Sequence, residues 1–181
     1  MNENKNAERW LSAQDVLNIP TKDLPLLVLS DNVRSFISWG IKAHESGMYN
    51  HLMLMIEPQL FATQNLMFCQ EPVKNYLKKH RLKFWHNPYW TNKERQALIR
   101  KVKKDLAQPW YKRIYDVVAI VGQAIHCESL QIPGIDICSD KAAYLKVVDP
   151  LYNLKHPSPP DVNRWMQKQT RYQVYGRYAP D

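Results

Sequence analysis

The pattern of apolar and polar residues predicts a protein in which strands alternate with helices. Segments typical of strands lie at 26–29, 49–56, 60–64, 81–86 and 171–178. The second and third of these are separated only by the turn sequence Glu57-Pro58-Gln59, which predicts an antiparallel hairpin. The last two alternate polar with apolar residues, as expected for strands that have one face in solvent.

Apolar residues at helical spacing predict helices in the remaining parts of the chain. The predicted helices cover 7–18, 32–45, 71–79, 91–107, 114–125 (equally compatible with a strand), 138–148 and 161–168. Ser30 and Asp31 are candidate N-caps for the second helix, and Asp161 is the candidate cap of the last one. Thr91 and Glu94 have the spacing of a capping box, which predicts where the longest helix begins.

These elements predict a single α+β domain with a central antiparallel sheet. The chain has 181 residues, and neither an internal repeat nor a low-complexity tract divides it. The longest apolar run, 117–121, is far shorter than a membrane span, and the first ten residues lack a secretory pattern. We therefore expect no membrane span and a location in the cytoplasm or on a virus particle.

The positive charge of the chain is concentrated in one window. The net charge is +8, but residues 74–113 contain 13 Lys and Arg against only Glu94 and Asp105, which leaves −3 for the remainder. Such a window suits an anionic envelope polymer, nucleic acid or an acidic protein surface, and it is equally typical of a solvated helix face beside a basic strand. No zinc-finger spacing, RNA-binding signature or glycine-rich phosphate loop accompanies it, so the sequence favours nucleic acid least.

Cysteine usage predicts a reduced protein with one candidate nucleophile. The three cysteines are Cys69, Cys127 and Cys138, an odd number that does not suit a disulfide framework. Cys138 follows the turn at Pro133-Gly134 and opens a predicted helix, where free backbone N–H groups and the helix dipole favour a thiolate. The alternative is a buried, inert thiol, which is the interpretation we give to Cys69 and Cys127.

Cysteine-based acyl transfer also requires an imidazole and a group that orients it. His51 opens an otherwise apolar strand, and it meets Cys138 if the predicted helix packs across the sheet; otherwise it is a polar residue at the edge of the core. Gln64, on the paired strand, is the predicted orienting residue. Thr63 takes that role if the register differs by one residue, because such a slip exchanges the faces of a strand. The other histidines lack metal-ligand spacing, so we expect neither a metal nor a cofactor.

The order of these motifs resembles the circularly permuted papain-like group of the NlpC-type superfamily, which includes YiiX-like and lecithin–retinol-acyltransferase-like proteins. The matching segments are Asn50-His51-Leu52-Met53-Leu54-Met55 and Ile137-Cys138-Ser139-Asp140. The resemblance covers about 26–150 and leaves 159–178 as a C-terminal helix and strand. Two residues depart from the family pattern, since Asn50 replaces a small hydroxyl residue and Asp140 replaces a glutamate. The third site position is often His or Glu in the family.

The resemblance implies a cysteine hydrolase or acyltransferase with Cys138 as nucleophile, His51 as base and Gln64 as third residue. The expected substrate is an amide bond of bacterial peptidoglycan, cleaved by a peptidase or amidase that reaches the wall on a phage particle or after lysis. One alternative is a lipid or thioester acyl hydrolase or acyltransferase. Another is a catalytically silent structural or binding module of a larger assembly.

Overall fold

In the described part of the chain, six antiparallel strands form one sheet, which carries His51, Thr63 and Gln64. The structure is a computed structural model that describes residues 9–32, 48–65, 67–113, 138–154 and 157–180. The strands are β1 (Leu26–Asn32), β2 (His51–Glu57), β3 (Leu60–Gln64), β4 (Phe68–Pro72), β5 (His80–His86) and β6 (Gln173–Tyr178). Their order across the sheet is β4-β3-β2-β1-β5-β6, and each neighbouring pair is antiparallel. The predicted α+β class and antiparallel sheet are confirmed.

Four α-helices and several 3₁₀ segments accompany the sheet within the described residues. The helices are α1 (Ala13–Leu17), α2 (Lys74–Leu77), α3 (Asn92–Leu106) and α4 (Pro159–Lys168). Short 3₁₀ turns cover Thr21–Asp23 and Trp110–Lys112, and a longer 3₁₀ segment, the Cys138 segment, covers Cys138–Val147. Among the residues described, no helix is long and apolar enough to cross a membrane.

The sheet separates two apolar layers because successive side chains of a strand point to opposite faces. One face, the α3 face, carries Leu27, Leu29, Leu52 and Leu54, and it is covered by α3, the Cys138 segment and α4. The other, the α2 face, carries Leu26, Val28, Met53, Met55 and Phe61, and it is covered by residues of α1, α2 and the N-terminal segment. The side chain of a polar residue at a strand end therefore lies in the same layer as the residues two and four positions away along that strand.

Local chemistry explains where the longer helices begin. The predicted capping box of α3 is confirmed, since the Thr91 hydroxyl accepts from the backbone N–H of Glu94 while the Glu94 carboxylate accepts from the N–H of Thr91. The predicted cap of α4 is wrong. Ser158 is the N-cap, and Asp161 is the third helical residue whose carboxylate completes the box. Pro159 and Pro160 suit the first turn, where no backbone N–H is needed.

Three further predictions are corrected by the fold. Ser30 and Asp31 lie within β1 rather than capping a helix, because β1 is central and pairs with both β2 and β5 along its length. The helix predicted at 71–79 shrinks to α2, since β4 pairs with β3 up to Pro72. The helix predicted at 7–18 is reduced to α1. The helices predicted at 32–45 and 114–125 fall almost wholly outside the described residues.

Candidate functional site

His51 opens β2 and belongs to the α2 face. Its side chain lies on the same side of the strand as Met53 and Met55, and its backbone pairs with Ser30 of β1. The residue is partly buried. The imidazole thus lies at the end of an apolar layer, where a polar ring requires a partner from a neighbouring strand.

Thr63 of β3 provides that partner. The hairpin register pairs Met53 with Thr63, so the Thr63 side chain points to the α2 face, where it is fully buried. Its Oγ1 lies 2.7 Å from His51 Nε2, within the range of a strong hydrogen bond. Thr63 therefore occupies the position in which a residue can orient the imidazole ring.

Gln64, the predicted third residue, points away from His51. It follows Thr63 by one position and hence belongs to the α3 face, on the side of Phe68 and Ala62. Its Nε2 donates to the backbone carbonyl of Arg113 at 3.0 Å, and its side chain is only 1% exposed. The structure brings His51 together with Thr63, the alternative, and not with Gln64.

Tyr76 and Glu71, which the sequence analysis did not single out, continue the hydrogen bonding from Thr63. Tyr76 Oη lies 3.5 Å from Thr63 Oγ1 and donates to Glu71 Oε2 at 2.9 Å. The other Glu71 oxygen accepts from Asn65 Nδ2 at 2.5 Å and lies 3.9 Å from Cys69 Sγ. We call Thr63, Tyr76 and Glu71 the Thr63 network. It depends on α2, which lies within the helix predicted at 71–79, and on the pairing of β3 with β4, which was not predicted.

A second histidine lies beside this network without joining it. His80 Nδ1 is 2.6 Å from the hydroxyl of Ser30, and its ring centroid lies 4.8 Å from that of Tyr76. His80 is partly buried at the start of β5. Its imidazole and that of His51 thus lie on the same face of the sheet, the α2 face.

Burial sets the protonation of these groups. It lowers the pKa of His51 to about 4, with a further contribution from the charge of His80, so His51 is neutral at pH 7. Burial also raises the pKa of Tyr76, which keeps the phenol protonated. The pKa of the Cys69 thiol is raised by burial and by the Glu71 carboxylate, which makes this cysteine a poor thiolate.

The Cys138 segment packs against the α3 face through Ala142, Tyr144 and Leu145 and contacts β2. It forms a 3₁₀ segment rather than the predicted α-helix. The side chain of Cys138, the predicted nucleophile, lies outside the described part of the structure. The buried residues of the segment and the His51 ring lie on opposite faces of the sheet.

The basic window forms an exposed surface on α3. Lys93, Arg100 and Lys104 are exposed, lie on one stripe of the helix, and have no ion pair within the described ranges. Trp110 and Tyr111 follow the helix and are 62% and 57% exposed. We call these five residues the basic–aromatic surface. Lys83, by contrast, is buried over the Trp85 ring, with Nζ 4.4 Å from its centroid.

The arrangement around His51 is suited to proton transfer. Nδ1 of the neutral ring has no hydrogen-bond partner among the described residues, while Nε2 is occupied by Thr63. A ring held in this way can take a proton at Nδ1.

Within the described ranges, no three His, Cys, Asp or Glu side chains are grouped to hold a metal. No protein-family model matches the chain, and no curated protein matches it.

Proposed function

We propose that the chain is a cysteine-dependent hydrolase of amide bonds with a permuted papain-like fold. Cys138 is the nucleophile, His51 the general base and Thr63 the residue that orients His51. The contact between His51 Nε2 and Thr63 Oγ1 carries this proposal, because it occupies one ring nitrogen and leaves the other to act on a thiol. The six-stranded antiparallel sheet is consistent with such a fold.

The proposed reaction has two halves. In the first, the Cys138 S–H proton passes to His51 Nδ1, and the sulfur attacks the carbonyl carbon of the amide. The C–N bond then breaks as the imidazolium protonates the leaving amine, which leaves a thioester on Cys138. In the second half, His51 takes a proton from water, the resulting hydroxide attacks the thioester, and the thiolate leaves and regains a proton. Backbone N–H groups at the start of the Cys138 segment are candidate donors to the oxyanion.

The proposal places a geometric requirement on the nucleophile. The buried part of the Cys138 segment lies on the α3 face, whereas the His51 ring lies on the α2 face. His51 is the first residue of β2, so its ring stands at the open end of the strand. The sulfur of Cys138 must therefore approach His51 around that end rather than through the sheet.

We propose peptide bonds of an anionic cell-wall polymer as the substrate. The basic–aromatic surface supports this assignment, because Lys93, Arg100 and Lys104 can attract a polyanion while Trp110 and Tyr111 can stack on sugar rings. Arg113, which follows this surface, lies at the end of the sheet where His51 opens β2. Arg113 binds the backbone of Phe68 and the side chain of Gln64 at the end of β3 that is near His51.

Digestion of purified peptidoglycan sacculi tests the proposed reaction. We expect the full chain to release new amino and carboxyl groups, and we expect Cys138→Ser and His51→Ala to abolish this release. Cys69→Ser is the matched control and should retain it, since the pKa of Cys69 is raised. Equal release by the unaltered chain and by Cys138→Ser would overturn the proposal. Hydrolysis of a fatty-acyl thioester but not of sacculi would instead support the acyl hydrolase.

A second candidate function is a catalytically silent binding module. The observation that favours it is the placement of His51 and the buried Cys138 segment residues on opposite faces of the sheet. In that case the basic–aromatic surface carries the function, and binding of sacculi persists in Cys138→Ser and His51→Ala. Binding without any release of new groups by the unaltered chain would identify this candidate.

A further inference from the structure

We propose that Tyr76 and Glu71 are positioning residues that hold His51 as the tautomer protonated on Nε2. In this tautomer Nδ1 carries the lone pair that accepts the proton from a nucleophile. The catalytic value of the arrangement rests on the proposed function, whereas the tautomer itself is a property of the folded chain. The tautomer can therefore be measured without any turnover.

The Glu71 carboxylate decides the direction of the hydrogen bonds in the Thr63 network. An ionised carboxylate only accepts hydrogen bonds, and Glu71 Oε2 lies 2.9 Å from Tyr76 Oη. Tyr76 has a single hydroxyl proton, which goes to this nearer and charged acceptor rather than to Thr63 Oγ1 at 3.5 Å. The Tyr76 oxygen is then left as an acceptor that faces Thr63.

The remaining two hydrogen bonds follow from that choice. The Thr63 hydroxyl donates its proton toward Tyr76, so its oxygen must accept at the 2.7 Å contact with His51 Nε2. The donor in this contact is then the Nε2–H of a neutral imidazole. The three donors, His51, Thr63 and Tyr76, thus all point toward Glu71. Hydrogen bonds aligned in this way strengthen one another in a buried setting. Thr63 is fully buried and Tyr76 is 5% exposed, so water does not compete at the centre of the chain.

Neighbouring groups on the α2 face do not disturb this order. The Asn65 amide donates to the second Glu71 oxygen and thereby leaves Oε2 to Tyr76. The same Nδ2 lies 3.4 Å from Tyr76 Oη, and because this oxygen has two lone pairs it can accept from both Asn65 and Thr63. The Nδ1 atom of His80 is hydrogen-bonded to the Ser30 hydroxyl at 2.6 Å. The His80 ring packs against the Tyr76 ring, with centroids 4.8 Å apart. The Cys69 thiol, with Sγ 3.9 Å from Glu71 Oε1, faces the same oxygen as Asn65.

Nitrogen NMR of the chain with ¹⁵N-labelled histidine tests the proposal at pH 7. His51 is assigned by its absence from the spectrum of His51→Gln, and the two ring nitrogens report the tautomer directly. We expect the Nε2–H form to predominate in the unaltered chain. Tyr76→Phe should lower the ratio of Nε2–H to Nδ1–H by about fivefold, the factor for one neutral hydrogen bond.

Glu71→Leu provides a second and sharper variant. Without the carboxylate, the Tyr76 proton has only Thr63 to bind, which turns the Thr63 proton toward His51 and makes the Nδ1–H form predominate. Tyr172→Phe is the matched control, since Tyr172 is also 5% exposed but donates to Asp149 on the α3 face. It should leave the His51 ratio unchanged.

The outcomes separate this proposal from the proposed reaction. A predominant Nδ1–H form in the unaltered chain, or a ratio that neither Tyr76→Phe nor Glu71→Leu changes, would overturn the positioning role and show that Tyr76 only fills space. If the tautomer ratio shifts as expected but the chain does not cleave sacculi, the positioning role of Tyr76 and Glu71 is supported. The proposed hydrolysis reaction is then the part that fails. If Tyr76→Phe does not fold, the Glu71→Leu ratio decides.

Discussion

Thr63 Oγ1 lies 2.7 Å from His51 Nε2, while Gln64, the next residue, points to the opposite face and binds Arg113. The two residues differ by one position in β3, and strand alternation decides which of them reaches the imidazole. A hydroxyl rather than an amide is therefore the group that orients His51. This contact is the basis of the first prediction.

Thr63→Val should lower kcat for sacculi by about ten- to a hundredfold with little change in KM. Valine has nearly the same shape but cannot hold the imidazole, and orientation of the base is part of the 10²–10⁴-fold effect of general acid–base catalysis. Thr63→Ser restores the hydroxyl and should recover most of the activity. Steady-state kinetics on sacculi at pH 7 measures both variants.

Gln64→Leu is the control that distinguishes the two neighbours. It should keep kcat within about twofold, while removal of the bond to the Arg113 carbonyl lowers the free energy of unfolding by about 1 kcal/mol. Urea unfolding measures the second effect. A large loss of kcat in Gln64→Leu, combined with normal activity in Thr63→Val, would assign the orienting role to Gln64 instead.

Much of the sheet was predictable because its signals are local. The strands around His51 and the turn before Leu60 follow from short apolar runs and turn residues, and the capping box of Thr91 and Glu94 is a four-residue motif. The candidate base, His51, could be selected for the same reason, since it opens an apolar strand.

The remaining features depend on long-range pairing that local patterns do not carry. Thr63 and Gln64 were equally available until the register of Met53 with Thr63 fixed the faces of β3. Tyr76 and Glu71 reach the site only because β4 pairs with β3 and α2 folds back over the α2 face. The 3₁₀ form of the Cys138 segment likewise depends on its packing against the sheet.

Stability should fall as the pH is lowered from about 6.5 to about 4. The unfolded chain protonates His51 near its ordinary pKa of 6.5, whereas burial keeps the folded form neutral down to about 4, so the unfolded state binds more protons in this window. The shift corresponds to about 3 kcal/mol, which is fully present above pH 6.5 and lost by pH 4. Urea unfolding across this range measures the slope.

His51→Gln should remove the largest part of that slope. Burial also lowers the pKa of His80 and of His86, so a smaller slope of the same sign should remain. His86→Gln is the control variant. His86 lies at the opposite end of β5 from His80, so its removal should leave the contribution of His51 to the slope in place. Equal slopes in the unaltered chain and in His51→Gln would show that His51 does not titrate as a buried group.

The basic–aromatic surface should determine the salt dependence of polyanion binding. Neutralising Lys93, Arg100 and Lys104 together to Gln should reduce the slope of log affinity against log salt for heparin by about two to three, because fewer counterions are released. The control variant changes three exposed lysines elsewhere, Lys22, Lys146 and Lys168, to Gln with the same change in net charge. Titration from low to moderate salt measures the slopes, and equal reductions in both variants would show that only net charge matters.

Alkylation of Cys138 across pH tests the central claim most directly. Iodoacetamide labelling of the folded chain, with the Cys138 peptide quantified by mass spectrometry, gives the rate of thiol labelling at each pH with and without His51. We predict that His51→Ala slows the labelling of Cys138 at pH 7 by about tenfold or more, because the neutral His51 ring takes the thiol proton as the sulfur attacks. Equal rates in both proteins, or no labelling of Cys138 in the folded chain, would contradict the account.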